Sequence, residues 1–187
     1  MKKIFLVAVM AVLAMTVSAQ VEQGSRMGVR ANVGMSKVTG GDAKMALSYG
    51  VAWVAEYNFS PKLFLQSGLG LERLGWKADD IDGTVNSLYV QLPIHVGYRF
   101  NLGEVSNLFV QAGPTLGYGI AGSDITDGSK TINYFDSAKR FDLSAGGRVG
   151  VEMGKYQLSL GANYGVLEVF DGGGHNLNIN LGFTYLF

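Results

Sequence analysis

The chain has 187 residues, no cysteine and a formal net charge of zero, with 48% apolar and only 16% charged residues. The length suits a single domain, and the missing cysteine excludes disulfides, thiolate metal sites and a lipid-modified cysteine. The lack of a basic excess argues against nucleic acid as a partner.

The start of the chain has the anatomy of a secretory signal peptide. Lys2 and Lys3 form a basic region, residues 4–17 form an apolar core, and Ala19 ends a small-residue cleavage site. A membrane-spanning helix needs about 20 apolar residues, which is more than this segment offers. We therefore predict export, with residues 1–19 as a cleaved signal peptide and residues 20–187 as the mature domain.

Eight segments of the mature chain alternate between apolar residues and polar or very small ones. Successive side chains of a strand point to opposite faces, so each segment predicts a strand with one apolar face. In the last segment, Leu177 and every second residue up to Phe187 are apolar. The predicted strands are 26–36, 45–59, 62–76, 87–100, 107–120, 139–153, 155–167 and 175–187.

The composition of the two faces indicates which one lies outside. On the apolar face, the exceptions are Ser67, Pro114 and Gly147, and we predict that this face carries no charge. The polar face is rich in glycine. An eight-stranded barrel is only wide enough inside for side chains, so glycines there leave room for a few large polar ones. We predict an all-β fold, an eight-stranded antiparallel up-and-down transmembrane β-barrel.

Aromatic residues and connection lengths orient this barrel. Short connections alternate with longer ones at 37–44, 77–86, 121–138 and 168–174, as expected for periplasmic turns and extracellular loops. Both chain termini then lie on the periplasmic side of the outer membrane. Two bands of outward aromatic residues are expected at the lipid–water boundaries. The band at the end with the short turns consists of Tyr57, Phe59, Tyr98, Phe100, Tyr156, Tyr185 and Phe187. The band at the other end consists of Tyr49, Tyr118 and Phe141.

Two prolines lie inside predicted strands. Pro93 and Pro114 have no N–H group to donate to a neighbouring strand. A closed barrel has no free edge where such a residue could be placed without loss. We therefore expect either local bulges or a break in the hydrogen-bond ladder at these positions.

Several segments resemble a known family. They are the Ala19/Gln20 junction, SLYVQLPI at 87–94, VQAGPTLGYG at 110–119, FDLSAGG at 141–147 and GFTYLF at 182–187. With them the mature chain resembles the small outer-membrane β-barrel proteins common in Bacteroidota, a group that includes PorT-like proteins. The resemblance implies an envelope location and a shared scaffold rather than a particular chemistry. Phe187 looks like the C-terminal signal that the outer-membrane assembly machinery reads.

The candidate site is the barrel interior. Strand parity points eight ionisable side chains inward: Arg30, Glu56, Glu72, His95, Arg99, Asp142, Arg148 and Glu152. Four of them, Arg30, Glu56, Arg99 and Glu152, lie toward the periplasmic end by strand position. Buried charges are costly unless paired, so we expect a near-neutral network that fills the barrel. A narrow polar conduit with ion-pair gates is the alternative.

His95 is the single inward histidine, which favours membership of this network over a role as general base or metal ligand. We expect no metal and no cofactor.

The longest loop offers a second candidate. Ile132, Tyr134 and Phe135 are apolar residues of the loop 121–138. Exposed apolar loop residues can form a contact site for a partner. They can equally pack over the mouth of the barrel, and the sequence leaves both possibilities open.

The sequence therefore favours a non-enzymatic outer-membrane protein with a structural or partner-binding role, in contact with outer-membrane lipid and lipopolysaccharide. A PorT-like role in secretion is one form of this hypothesis. A small pore for ions or solutes is the alternative. A lipid-modifying enzyme is less favoured, because no suitably spaced serine accompanies His175 as a nucleophile–base pair.

Overall fold

The computed structural model describes residues 24–40, 42–77, 84–102, 106–127 and 130–187, and no side chains at 124–132. Its strands are β1 (Ser25–Val38), β2 (Lys44–Asn58), β3 (Leu63–Lys77), β4 (Val85–Asn101), β5 (Ser106–Gly122), β6 (Asp124–Asp127), β7 (Lys130–Asn133), β8 (Phe141–Met153), β9 (Tyr156–Gly165) and β10 (Asn176–Leu186). One short helix, α1 (Tyr134–Ser137), follows β7. The predicted signal peptide, 1–19, lies outside the described residues.

Eight of these strands close into an antiparallel barrel in the order β1-β10-β9-β8-β5-β4-β3-β2. Val29 faces Tyr185 in the pairing of β1 with β10, which joins the two ends of the sheet. Alternating apolar residues make each strand suited to this arrangement, since one face can meet lipid while the other fills the interior. The predicted eight-stranded up-and-down barrel is confirmed, with the hairpin β6–β7 and α1 inserted between β5 and β8.

The two in-strand prolines interrupt the ladder without shifting it. The β3–β4 ladder has a gap beside Pro93, and the β4–β5 ladder has a gap beside Pro114, but the register is unchanged across each gap. Ser67 Oγ donates a hydrogen bond to the carbonyl of Pro93 at 2.8 Å. The expected break in the ladder is confirmed, and the register shifts occur elsewhere, near the loop ends of β2 and β4.

The two ends of the barrel differ in the length of the connections between their strands. The turn end carries the short connections β2–β3, β4–β5 and β8–β9 and the C-terminal residue, and the loop end carries the longer ones. Aromatic pairs at the turn end include Tyr57 with Phe59 and Tyr98 with Phe100, each with ring centroids 5.0 Å apart. Exposed aromatic side chains at the loop end are Tyr49, Tyr118, Phe141 and Tyr164.

The outer face is apolar along most of its height, as predicted, but it is not free of charge. Arg73 lies on the outer face near the loop end, with its guanidinium carbon 5.1 Å from the centre of the Tyr49 ring. Strand parity assigns Arg73 to this face, because it is opposite in parity to the buried Glu72. The expectation of an uncharged outer face is therefore wrong at this position.

None of the helices in the described ranges is long and apolar enough to cross a membrane.

Candidate functional site

The turn end of the interior holds a network of two arginines and two glutamates. Arg26 Nη2 lies 2.5 Å from Glu56 Oε1 and 3.1 Å from Glu152 Oε2. Arg99 contacts the same two carboxylates, with Nε 3.2 Å from Glu152 Oε1 and Nη2 hydrogen-bonded to Glu56 Oε1. Charges of both signs are equal in number, and each carboxylate is shared between two guanidinium groups. This balance is what allows four ionised side chains to stay in the interior.

Neutral side chains extend this network. The amides of Gln66 and Gln157 donate to Glu56 Oε2 at 3.1 and 3.4 Å. The guanidinium of Arg99 also lies over the Phe64 ring, with 4.1 Å between its central carbon and the ring centre. A Cβ at Gly97 would overlap the Phe64 ring, so glycine at that position makes room for the ring inside the barrel. The turn end is therefore filled by contacts that the strands themselves supply.

The middle of the barrel differs, because neither of its two arginines forms an ion pair with a carboxylate in the part of the chain that the structure describes. Arg30 Nε donates to Thr184 Oγ1 at 2.9 Å, and its Nη2 donates to Gln66 Oε1. Glu72 accepts hydrogen bonds from the amides of Asn178 at 3.0 Å and Asn32 at 3.3 Å. The sequence groups Arg30 with the charges toward the turn end, whereas the structure places it outside their ion-pair network.

Arg148 is the second arginine of the middle. Its one hydrogen bond within the described part of the chain runs from Nη1 to Ser159 Oγ at 3.5 Å. A Cβ at Gly182 would lie 2.8 Å from Nη1, and a Cβ at Gly161 would lie 3.0 Å from it. Two interior glycines thus create the space for this guanidinium, which supports the interpretation of why the inner face is rich in glycine.

A small cavity of about 30 Å³ lies between these groups. Arg30, Arg148, Glu72 and His95 line it, together with Thr115 and several neutral residues. His95 is 3% exposed, and its Nε2 lies 3.3 Å from Thr115 Oγ1. Its Nδ1 has no hydrogen-bond partner within the described ranges.

Apolar side chains dominate the loop end of the interior. Inward residues of the barrel and residues of two loops form one buried cluster, made of Val38, Leu74, Val85, Tyr89, Tyr134, Phe135, Ala138 and Val169. Phe135 stands edge-on to Tyr89 with 5.8 Å between ring centres, and Tyr134 packs against Phe170 at 6.0 Å. Below the cluster, Asp142 accepts a hydrogen bond from the amide of Asn176 at 3.2 Å.

This packing corrects one candidate contact site. Tyr134 is 1% exposed and Phe135 is 8% exposed, so neither side chain is free on the loop surface to meet a partner. Of the two possibilities that the sequence leaves open, packing over the barrel mouth describes these two residues. Burial raises the pKa of the Tyr134 phenol, and the neighbouring Tyr89 raises it further. The side chain of Ile132 lies outside the described residues.

The structure brings all eight predicted ionisable residues inside the barrel, but in three groups rather than one. Glu56, Arg99 and Glu152 form the turn-end network, whereas Asp142 lies near the loop end. Arg26 was missed, although it has the same strand parity as Arg30 and could have been found by that signal. Gln66 and Gln157 bridge these groups, but they carry no charge, so a pattern of ionisable residues does not reveal them.

Within the described residues, the ring of His175 makes no hydrogen bond to a serine or threonine hydroxyl. The His175 ring stacks on Tyr164 with ring centres 5.4 Å apart, and Nδ1 lies 3.2 Å from the carbonyl of Leu167. Ser67, on β3, is separated from β10 by two strands in the barrel order. Among the described residues, no group of three or more histidine, aspartate or glutamate side chains could hold a metal ion.

Comparison with known proteins identifies the family. The model of the outer membrane protein beta-barrel domain matches residues 5–187. The chain belongs to this family. It is an outer-membrane β-barrel protein, and membership of the family confirms the predicted outer-membrane location. No curated protein matches the sequence.

Two solved structures share the fold. The attachment invasion locus protein Ail of Yersinia pestis is 14% identical with a TM-score of 0.51, and the match covers 89% of this chain and 100% of Ail. Neisserial surface protein A is 15% identical with a TM-score of 0.56, and the match covers 88% and 100% of the two chains. At these identities the likeness concerns the fold alone.

Proposed function

We propose that this protein is a non-enzymatic, closed outer-membrane barrel that serves as a scaffold and binds a partner outside the membrane through its loop end. The observation that carries the proposal is the filling of the interior at both ends. A balanced network of Arg26, Arg99, Glu56 and Glu152 occupies the turn end, and the aromatic cluster around Tyr134 occupies the loop end. A filled interior leaves the exposed loops and turns as the surfaces for recognition.

The charge on the outer face supports an extracellular loop end. Lys37, Arg73 and Lys77 are basic residues near the loop ends of β1 and β3, and their strand parity places them on the outer face. Phosphate groups of lipopolysaccharide are the anions that such residues would meet at an outer leaflet, because guanidinium and ammonium groups bind phosphate well. The proposal therefore places the loops outside the cell, the turns and both chain termini in the periplasm, and lipopolysaccharide around the loop end.

The hairpin β6–β7 is the part of the loops that we assign to partner binding. Among the described residues, its two strands pair with each other in a sheet separate from the barrel, while α1 beside it is anchored in the barrel mouth. A two-stranded hairpin has unpaired strand edges, which a partner can extend by adding a strand. A PorT-like role in secretion would be one form of such binding.

Conductance of the purified protein in planar bilayers is the first test. A closed barrel predicts a folded protein, shown by its mobility shift on an unheated gel, that gives no discrete channel openings. Deletion of residues 124–133 should leave it silent, because the aromatic cluster and the turn-end network remain. Regular openings in the unmodified protein would overturn the closed scaffold and favour the small pore, whose selectivity the polar interior would then set.

Partner binding is tested separately in cells. A photo-crosslinking residue at position 126, in the hairpin, should give a discrete crosslinked product that one at Leu160, on the lipid-facing side of β9, does not give. Identical product patterns from both positions would contradict recognition by the hairpin. The outer basic residues are tested in the same cells with a crosslinking residue at position 73 and lipopolysaccharide labelled with radioactive phosphorus. A labelled product is expected from position 73 and not from position 160.

A further inference from the structure

Two arginines and one glutamate line the central cavity of the barrel, so its lining holds a local excess of one positive charge. Arg30 and Arg148 both line the central cavity, and Glu72 is the carboxylate among its lining residues. No carboxylate lies within ion-pair distance of either arginine in the described ranges, in contrast to the two turn-end arginines. An uncompensated buried charge destabilises the folded protein, so a group of opposite charge is expected nearby.

The hydrogen-bonding capacity around the cavity points in the same direction. A guanidinium group carries five N–H donors, and Arg148 uses one of them, in a long bond to Ser159. His95, 3% exposed, has an unpartnered Nδ1 within the described part of the chain and lines the same cavity. The amide oxygens of Asn32 and Asn163, which also line the cavity, are unpartnered acceptors within the described residues. The unused N–H groups of Arg148 carry a full positive charge, and a charged donor group of this kind favours an anion.

The size of the cavity limits which anion fits. The space is about 30 Å³, and one water needs about 10–15 Å³ measured in this way. Such a space accepts a monatomic ion, and it favours a small anion over a larger one. We propose that the barrel interior binds one monovalent anion of the size of chloride, held between the guanidinium groups of Arg30 and Arg148.

Glu72 does not conflict with this assignment. Both of its carboxylate oxygens accept amide hydrogen bonds, from Asn178 and Asn32, and within the described residues neither arginine is hydrogen-bonded to it. With one anion bound, the middle of the barrel holds two positive and two negative charges, the same balance as the turn end. The ion would be enclosed as the barrel closes, as a structural counter-ion of the fold.

Anomalous scattering from bromide tests the site directly. The unmodified protein is refolded and crystallised in sodium bromide, and a bromine peak is expected in the cavity between Arg30 and Arg148. Water density at that place, with no anomalous peak, would overturn the proposal. This experiment needs no variant and is independent of whether the barrel conducts or binds a partner.

A stability measurement provides the second test. Unfolding in urea is compared in chloride and in gluconate at equal ionic strength, because gluconate is too large for the cavity. At a chloride concentration about ten times the dissociation constant, the ratio of folded to unfolded protein should rise about tenfold. Arg148→Gln should abolish this dependence on chloride, whereas the control Lys155→Gln, at an exposed cation in the turn between β8 and β9, should keep it. Equal stability of the unmodified protein in both salts would contradict the site.

Discussion

The two ends of the barrel interior are filled in different ways. At the turn end, four ionised side chains from β1, β2, β4 and β8 hold one another across the barrel. At the loop end, Tyr134 and Phe135 of an inserted loop pack against apolar residues of the wall. The first arrangement belongs to the strands and cannot be lost without disturbing the barrel, whereas the second can detach while every strand stays paired. Stability should therefore depend on the turn end, and access to the interior on the loop end.

The largest effect is expected from Glu56→Ala. Glu56 is 1% exposed and contacts both Arg26 and Arg99, so the variant leaves two guanidinium groups with half of their compensation. Removing one member of a buried ion pair costs about 3–5 kcal/mol, and we expect the free energy of unfolding in lipid vesicles to fall by that amount. Urea titration with the gel mobility shift measures it. Glu168→Ala, at an exposed position, is the control, and equal midpoints for the two variants would contradict the role of this network.

A second, local effect is expected from Phe135→Ala. Its ring contacts Tyr89 and Tyr134 and lies 4.8 Å from the guanidinium carbon of Arg140. Loss of a buried phenylalanine costs about 3–5 kcal/mol, and here the cost should fall on docking of the loop rather than on the barrel. Faster proteolysis of the loop with an unchanged urea midpoint is the expected result. The control Phe141→Ala, which removes an outward ring, should leave proteolysis of the loop unchanged. A lowered urea midpoint in Phe135→Ala would contradict the expectation and show that the turn end and the loop end are coupled.

Gly119→Ala sharpens the same comparison with a smaller effect. A Cβ at Gly119 would overlap the Phe135 ring, and overpacking of this kind costs about 1–3 kcal/mol. Loop proteolysis should accelerate in Gly119→Ala, but the added methyl group should have little further effect when Phe135→Ala is already present. A double-mutant cycle measures this coupling. Additive effects would mean that Phe135 does not occupy the space beside Gly119.

The smallest effect is a pH dependence of the loop end. Burial raises the pKa of Tyr134 above its usual value of about 10. Because the neutral phenol is favoured in the docked loop, its contribution to docking is complete below about pH 10 and is lost as the pH rises above that value. Tyrosinate absorbance and loop proteolysis should rise together in the unmodified protein. Tyr134→Phe should remove this rise in proteolysis, and an unchanged pH profile would assign it to another group.

Much of the interior could be predicted from strand parity. Glu56, Arg99 and Glu152 are inward by their spacing alone, and their opposite charges indicate pairing. Parity does not give the height at which a side chain ends, because a long arginine can reach one or two residues along the barrel. For that reason Arg30 was grouped with the turn-end charges, although its guanidinium bonds to neutral groups in the middle.

The packing of the loop end could not be predicted from strand parity. Tyr134 and Phe135 lie in a loop with no period to assign them a face, and exposure and packing over the mouth were equally open. Burial against Tyr89 decided between them, since this contact joins residues far apart in the sequence.

The amino-acid sequence by itself determined the number of barrel strands, the largely apolar outer face and the polar, glycine-rich inner face, because alternation with a period of two is a local property. The tertiary structure alone decided which inward charges meet, that Arg30 and Arg148 form no ion pair with a described carboxylate, and that a loop closes over one end. Those features depend on the stagger of strands around a closed sheet and on long-range contacts, neither of which a local pattern records.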